Sequence, residues 1–341
     1  MNHQPELTIS SSPYVLEGTT TPKLMFKVIY ALIPVVALAT WFFGLSALWV
    51  VGAGIAGACG AEWLFGARKG AGTLLDGSGL LTGMLLGLTL PPSTPLWMAV
   101  LGGFIAISIG KFIWGGLGFN LFNPALLGRA FLQASFPTAL TDKSYFPEPG
   151  FFSLMESDPR SFSMPLMQLK SDAALQLTDA ISTATPLGMA KFDHHITQLK
   201  PLLLGNINGS LGETSALLLI ICGLWLGFSK VFNWRGPIAV LLAVALFSGI
   251  LHLLVPDKCP PPQFMLLSGG LLFGAVFMVT DPVTTPITSK GLWFFGFGLG
   301  FLIVMIRVFG GLPEGVMYAI LFMNAITPHI NRYTQPRQFG G

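Results

Sequence analysis

The chain has 341 residues, of which 52% are hydrophobic and only 10% are charged. Soluble domains carry about 25% charged residues, so this composition excludes an ordinary soluble protein and, with a mean hydropathy of +0.69, indicates an integral membrane protein. The net charge of +3, without a basic run, argues against a nucleic-acid partner, and the three cysteines do not have metal-site spacing.

A polar N-terminal tail, residues 1–23, precedes the apolar part of the chain and shows no cleavable signal peptide. Ten apolar segments of about membrane-spanning length follow. They cover residues 24–44, 46–66, 73–90, 96–114, 120–136, 213–229, 236–255, 264–280, 290–309 and 314–330. The sequence therefore predicts an all-α integral membrane protein with about ten transmembrane helices.

Several of these predicted helices, notably the third, fifth, eighth and tenth, are short or are interrupted by Gly and Pro. Irregular backbone at membrane depth is tolerated only where protein or a polar cavity covers it. We therefore expect these helices to line a site.

Lysine and arginine residues predict the orientation, because short cytoplasmic loops are enriched in them. With the N-terminus inside, the opposite short loops hold only Lys258 and Arg307. The cytoplasmic segments hold Lys23, Lys27, Arg68, Lys69, Lys111, Lys230, Arg235, Lys290, Arg332 and Arg337. This bias predicts a protein of the cytoplasmic (inner) membrane with both termini in the cytoplasm.

An internal repeat is weakly visible. Residues 80–83 (LLTG) are echoed by residues 266–269 (LLSG), and a Pro-containing turn and a Trp follow each. Five helices per half would make the two copies inverted, although short Gly/Pro patterns also recur by chance. The predicted organisation is a cytoplasmic tail (1–23), a first five-helix repeat (24–136), an extracytoplasmic segment (137–212), a second five-helix repeat (213–330) and a cytoplasmic tail (331–341).

Asp76 and Ser78 are the first candidates for chemistry within the apolar segments. They stand in the sequence DGSG, where a flexible backbone could expose carbonyl groups and a hydroxyl. Intramembrane charges are costly and usually face the protein interior, so we expect these residues to contact an ion or a cofactor. The alternative is a carboxylate that caps the N–H groups at a helix start.

Three other charged or titratable residues lie in or near apolar segments. For Glu62 and Arg129, ion pairing or snorkelling is the favoured interpretation. For His252, close to a predicted helix end, a structural role is favoured over a proton relay.

Asparagines form another group of candidates. Asn120, Asn123 and Asn324 place amide groups beside predicted helix starts and bends. Helix capping is the favoured role, and the alternative is to hold a neutral cofactor ring such as an isoalloxazine.

A run of small residues in the long polar segment (DAISTAT) ends at Thr185. Its unhindered hydroxyl is a good acceptor for a bulky covalent group. The run resembles the target of flavin transferases, Asp-x-x-(Ser/Thr)-Gly-Ala-Thr, in which FMN is joined through its phosphate to the last Thr. An ordinary loop is the alternative, because Asp, Ser and Thr favour turns. The resemblance implies FMN on Thr185, with a transferase motif that includes Asp179, Ser182, Thr183 (where the motif usually has Gly) and Ala184.

These motifs together resemble the RnfD/NqrB family over about residues 20–335, and the short N-terminal tail is more similar to RnfD. The residues that carry the resemblance are those of 76–83 (DGSGLLTG), 91–92 (PP), 115–125 (GGLGFNLFNPA), 179–187 (DAISTATPL) and 280–286 (TDPVTTP).

The resemblance implies a membrane subunit of an Rnf-type ion-translocating ferredoxin:NAD oxidoreductase complex. A covalent FMN would pass electrons, and the redox energy would drive Na⁺ or H⁺ across the membrane. The family also implies other membrane redox subunits as partners, one with a second covalent flavin, together with a flavin transferase and a second, non-covalent flavin such as riboflavin. The NAD and ferredoxin sites would lie on partner subunits.

Two interpretations without redox chemistry remain. An inverted-repeat transporter of ions or small solutes would share the same architecture, and a scaffold subunit would only hold its partners. The run that ends at Thr185 discriminates, because neither protein has a use for a flavin target.

Overall fold

The computed structural model of the protein describes residues 20–66, 71–141, 155, 157–164 and 185–335. All regular structure in these ranges is helical. The α-helices are α1 Thr21–Phe43, α2 Leu45–Gly66, α3 Ser78–Thr89, α4 Leu96–Ile107, α5 Pro124–Ser135, α6 Pro137–Thr141, α7 Pro186–Phe192, α8 Leu199–Leu204, α9 Ala216–Phe228, α10 Arg235–Leu254, α11 Pro262–Leu267, α12 Leu271–Phe273, α13 Ser289–Phe309 and α14 Val316–Thr334. The 3₁₀ turns are Ala71–Asp76, Pro159–Phe162 and Leu211–Glu213, and the π-helical turns are Ser108–Phe112 and Gly274–Met278.

Among the helices of the described residues, α1, α2, α10 and α13 are long and apolar enough to cross a membrane. At 1.5 Å per residue, about 20 residues span the hydrocarbon core of a bilayer. Large apolar side chains remain exposed on these helices, among them Ile33, Trp49, Leu242 and Phe294. Helices that are apolar on all sides are typical of a membrane environment.

Small residues bring the helix backbones into direct contact. A Cβ atom added at Gly57 in α2 would lie 2.0 Å from the carbonyl oxygen of Val100 in α4, and one added at Gly300 in α13 would lie 2.4 Å from the Cβ atom of Ala243 in α10. Close backbone approach through small residues is how membrane helices gain packing without a hydrophobic driving force. The helix pairs α2–α4 and α10–α13 are therefore tightly joined units.

Two breaks interrupt the helices where the sequence predicts irregular backbone. The eighth predicted helix is divided into α11 and α12 by Ser268–Gly270, where Gly269 has a φ of +64°. The third begins only after Gly77, which has a φ of +76°. Glycine adopts this left-handed conformation without the steric cost that other residues incur.

Each of the ten predicted segments contains a helix. The tenth corresponds to α14, which has 19 residues and continues through Pro328. A proline removes one backbone hydrogen bond, and neighbouring groups can compensate for that loss inside a membrane bundle. The ten crossings, the inverted repeats and the domain boundaries stay predictions.

Helix α3 leads from one end of the bundle to the other. At its start, Ser78 contacts Glu62 near the end of α2 and Lys111 in the π-helical turn that follows α4; we call this the Lys111 end. After its last residue, the carbonyl of Leu90 accepts a hydrogen bond from Leu211 N–H at 3.1 Å. This second end also holds α7 and the break between α11 and α12, and we call it the Thr185 end.

Candidate functional site

Thr185 is the residue immediately before α7. Its backbone is extended, and its Oγ1 accepts a hydrogen bond from Gly188 N–H at 3.2 Å. The extended conformation follows from Pro186, which disfavours a helical preceding residue. The side chain is half-buried, so the residue is a helix N-cap with part of its surface accessible. The other members of the predicted flavin motif, Asp179, Ser182, Thr183 and Ala184, lie outside the described residues.

Helix α7 is docked onto the Thr185 end of the bundle. Leu187, only 5% exposed, packs with Leu202, Ile207 and Phe264 in a small apolar cluster. Lys191 extends to the end of α13, where its Nζ donates to the carbonyl oxygen of Arg307 at 2.9 Å. Burial lowers the pKa of the Lys191 side chain below its ordinary value. Sequence patterns did not indicate these contacts.

Arg307 joins α13 to the break between α11 and α12. Its guanidinium donates to the carbonyl oxygens of Met265 at 2.6 Å and Ser268 at 3.0 Å. Glu314 contacts the same break, because its Oε1 accepts a hydrogen bond from Gly270 N–H at 3.2 Å. A buried cation and a carboxylate therefore bind the backbone that the break leaves outside a helix.

Arg129 extends this charged group across the two predicted halves of the chain. Its guanidinium lies 3.4 Å from Glu314 Oε2 and 3.9 Å from Glu213 Oε1. We call Arg129, Glu213, Arg307 and Glu314 the Arg129 cluster. The sequence favours ion pairing or snorkelling for Arg129; the structure shows pairing, with partners that the sequence analysis did not name. The available signal was an acidic residue close to the start of an apolar segment, as at Glu213 and Glu314.

A second buried group lies at the Lys111 end. Lys111 donates to Glu62 Oε1 and, at 2.6 Å, to Ser78 Oγ, and it lies 3.8 Å from Asp76 Oδ2. The Lys111 and Glu62 side chains are 3% and 1% exposed. We call these four residues the Lys111 cluster. The sequence placed Lys111 among cytoplasmic loop charges, whereas the π-helical turn Ser108–Phe112 keeps it within the bundle.

Asp76 and Ser78 are thus brought together, as their spacing in the sequence requires, and they share two further charged neighbours. Asp76 Oδ1 also accepts a hydrogen bond from Ser78 N–H at 2.7 Å. Asp76 therefore makes the helix-capping contact that was the alternative prediction, and it also lies beside the charge of Lys111. The ion role of both residues stays a prediction.

The asparagines behave differently from one another. Asn123 caps α5 by accepting from Leu126 N–H at 3.3 Å, and Asn120 accepts from Gly118 N–H at 3.3 Å. Asn324 does not lie at a helix start, because it is inside α14. With its amide oriented by the hydrogen-bond network, it accepts from Asn123 N–H at 3.1 Å and donates to Thr284 O at 3.3 Å. Asn123 and Asn324 therefore join the two predicted halves.

His252 contacts the loop that follows its own helix. Its Nδ1 lies 2.7 Å from the carbonyl oxygen of Cys259. This is the contact expected of a structural residue at a helix end.

Known proteins resemble this chain over almost its whole length. A model described as the NQR2, RnfD, RnfE family matches residues 8–340. A Clostridium ljungdahlii protein, named as the D subunit of a proton-translocating ferredoxin:NAD(+) oxidoreductase complex, is 40% identical, over 98% of this chain and 96% of its own. An Acetobacterium woodii protein, named as the D subunit of the corresponding Na(+)-translocating complex, is 37% identical over 98% and 95%. A Stutzerimonas stutzeri protein, named as the D subunit of an ion-translocating oxidoreductase complex, is 39% identical over 94% and 93%.

Proposed function

The chain belongs to the NQR2, RnfD, RnfE family, and from that premise we propose that it is the D-type membrane subunit of an Rnf-type ion-translocating ferredoxin:NAD oxidoreductase complex. Relatives similar along more than nine tenths of both chains carry names of this kind. The chain is a multi-pass membrane protein, in agreement with a translocase subunit. The named relatives differ in the ion, so their similarity does not select Na⁺ or H⁺.

We propose further that Thr185 carries a covalent FMN, attached through a phosphoester to its Oγ1. The observation that supports this is the position of Thr185: a half-buried hydroxyl at the start of a short helix that is docked on the bundle. An esterified oxygen retains a lone pair for the hydrogen bond from Gly188 N–H. When bound, a flavin supplies one- and two-electron redox chemistry, and the chain fixes where that chemistry takes place.

The proposal also includes a site for the coupling ion and a site for a second flavin. Asp76 and Ser78 would contact the coupling ion at the Lys111 end, where the Lys111 cluster already concentrates charge. Asn120 and Asn123 would contact a second, non-covalent flavin such as riboflavin. Both asparagines are buried beside the start of α5, and amide groups can hydrogen-bond a neutral ring.

The proposed placement is in the inner membrane, with both termini in the cytoplasm and Thr185 on the periplasmic or outer side. Partners would be the other membrane redox subunits, including a second covalent-flavin subunit, and the flavin transferase. Covalent attachment suits an outward site, because a freely dissociating flavin would be lost to the medium.

The test is to express the chain with its flavin transferase, denature the purified protein and measure flavin on the protein and in the filtrate. Mass spectrometry of the Thr185 peptide should show the FMN adduct, and the filtrate should contain the non-covalent flavin. Thr185→Ala should abolish the adduct, whereas Thr185→Ser, which keeps a hydroxyl, should retain part of it.

An unmodified Thr185 in the assembled native complex, or an adduct that persists in Thr185→Ala, would refute the assignment. A chain without any flavin would instead support a transporter without a redox role. A filtrate without flavin would refute the second flavin site alone.

A further inference from the structure

Lys191 fastens α7 to the end of α13. Its Nζ donates to the carbonyl oxygens of Arg307 at 2.9 Å and Leu312 at 3.0 Å, and also to that of Gly310. The last carbonyl groups of a helix lack intrahelical partners and form the negative end of its dipole. A lysine ammonium is therefore well suited to this position. Burial lowers the pKa of Lys191, and the three acceptors oppose that effect because they favour the charged form.

Leu187 supplies a second contact on the same face of α7. Residues four apart on a helix are neighbours, so Leu187 and Lys191 face the bundle together. A Cβ atom added at Gly269 would lie 2.5 Å from Leu187 Cδ1, which places this face of α7 directly on the break between α11 and α12. One side of the helix thus contacts both the break and the end of α13.

A helix of this length depends on such contacts. Helix α7 has seven residues, and isolated helices shorter than about 12 residues are marginal in water. Its position, and with it the position of Thr185 at its start, is therefore determined by the groups that anchor it.

We propose that Lys191 is a positioning residue for the Thr185 site: its ammonium holds α7 against the end of α13 and thereby fixes the position of the flavin attachment point at the other end of α7. This inference rests on the proposed function. Arg307 contacts both α7 and the break between α11 and α12. Its carbonyl accepts from Lys191, and its guanidinium donates to the Met265 and Ser268 carbonyls. The attachment point therefore has a fixed place relative to the Arg129 cluster.

The experiment compares Lys191→Met, Lys191→Gln and Lys191→Arg in the full chain, expressed with its flavin transferase. Lys200→Met is the matched control, because Lys200 is an exposed lysine on the neighbouring helix α8. Two kinds of readout are needed, one for α7 and one for the flavin. Hydrogen exchange of residues 187–192 reports whether α7 is held, and the fluorescence anisotropy and midpoint potential of the attached flavin report whether its position is set.

Lys191→Met should accelerate exchange in α7 roughly tenfold or more, as expected when hydrogen bonds to a charged group are lost, and should lower the flavin anisotropy. Lys191→Arg should restore both readouts, because it keeps a charged donor, and Lys200→Met should match the wild type. Lys191→Gln is neutral but still a hydrogen-bond donor, so its exchange rate and anisotropy should lie between those of Lys191→Met and the wild type. It replaces Lys191→Met in the test if that variant does not fold.

Unchanged exchange in folded Lys191→Met or Lys191→Gln would overturn the anchoring itself. Faster exchange with unchanged anisotropy and potential would overturn the positioning role. If the wild-type chain carries no flavin while its α7 still depends on Lys191, the proposed function fails together with the positioning role, and the anchoring contact alone stands.

Discussion

In the Lys111 cluster, residues that are close in sequence were easier to predict than residues that come together only in the fold. Asp76 and Ser78 were predictable, because both stand in one short glycine-containing run. Lys111 is 33 residues from Ser78 in the chain, and its position at the end of an apolar segment is also typical of a loop charge. Only the π-helical turn and the packing of α4 against α2 bring it to Glu62. The same holds for the partners of Arg129.

Asp76→Asn separates the two roles of Asp76. Asparagine caps a helix about as well as aspartate, so the hydrogen bond to Ser78 N–H should persist while the negative charge beside Lys111 is lost. We expect redox-driven ion uptake in vesicles that contain the assembled complex to fall several-fold, because a charge that faces the interior of a membrane protein usually marks an ion pathway.

A substitution at Ser78 can be compared with Asp76→Asn, because both residues contact Lys111. Ser78→Ala removes the hydroxyl that binds Lys111 and should also reduce uptake. Unchanged uptake in Asp76→Asn, with assembly also intact, would leave capping as the whole role of Asp76.

At the scale of helices, hydropathy and Gly/Pro positions predicted most boundaries to within a few residues. Long apolar segments carry a strong signal, and α1, α2, α10 and α13 correspond closely to their predictions. Helices α7 and α8 were not predicted. They are short and lie in a polar segment, where their stability comes from contacts such as those of Leu187 and Lys191 and not from a periodic pattern.

The contact between α2 and α4 can be tested with two glycines of the same helix. Gly57→Leu should disrupt the bundle, since even a Cβ atom there would meet the backbone of Val100, and Gly60→Leu should be tolerated, since nothing lies within 4 Å of its added Cβ. Overpacking costs about 1–3 kcal/mol or more. The midpoint of thermal unfolding in detergent should fall for Gly57→Leu only, and equal midpoints for the two variants would show that the helices do not approach this closely.

At the scale of the whole molecule, the charge bias of the loops predicts that Thr185 and Lys290 face opposite sides of the membrane. Cysteines at Asp193 and Lys290, both exposed positions, can test this in a background in which Cys59 is replaced. A membrane-impermeant thiol reagent applied to cells without an outer barrier should label Asp193→Cys. It should label Lys290→Cys only after lysis. The reverse pattern would invert the predicted orientation.

How the two halves meet could not be predicted from either half alone. The sequence suggested a repeat, but a repeat does not say which side chains of the two halves touch, as Arg129 does with Glu314 and Asn123 with Asn324. Such contacts depend on the packed arrangement of both halves, which local patterns do not specify.

The bridge between Arg129 and Glu314 has a consequence for biosynthesis. The two residues are 185 positions apart, so at about 5–20 residues per second the ribosome delivers Glu314 roughly 10–40 s after Arg129. Arg129 also lies 3.9 Å from Glu213 Oε1, so until that residue follows, a cation destined for the protein interior has neither of its carboxylates. The first half is therefore made with one interior charge whose partners all belong to the second half of the chain.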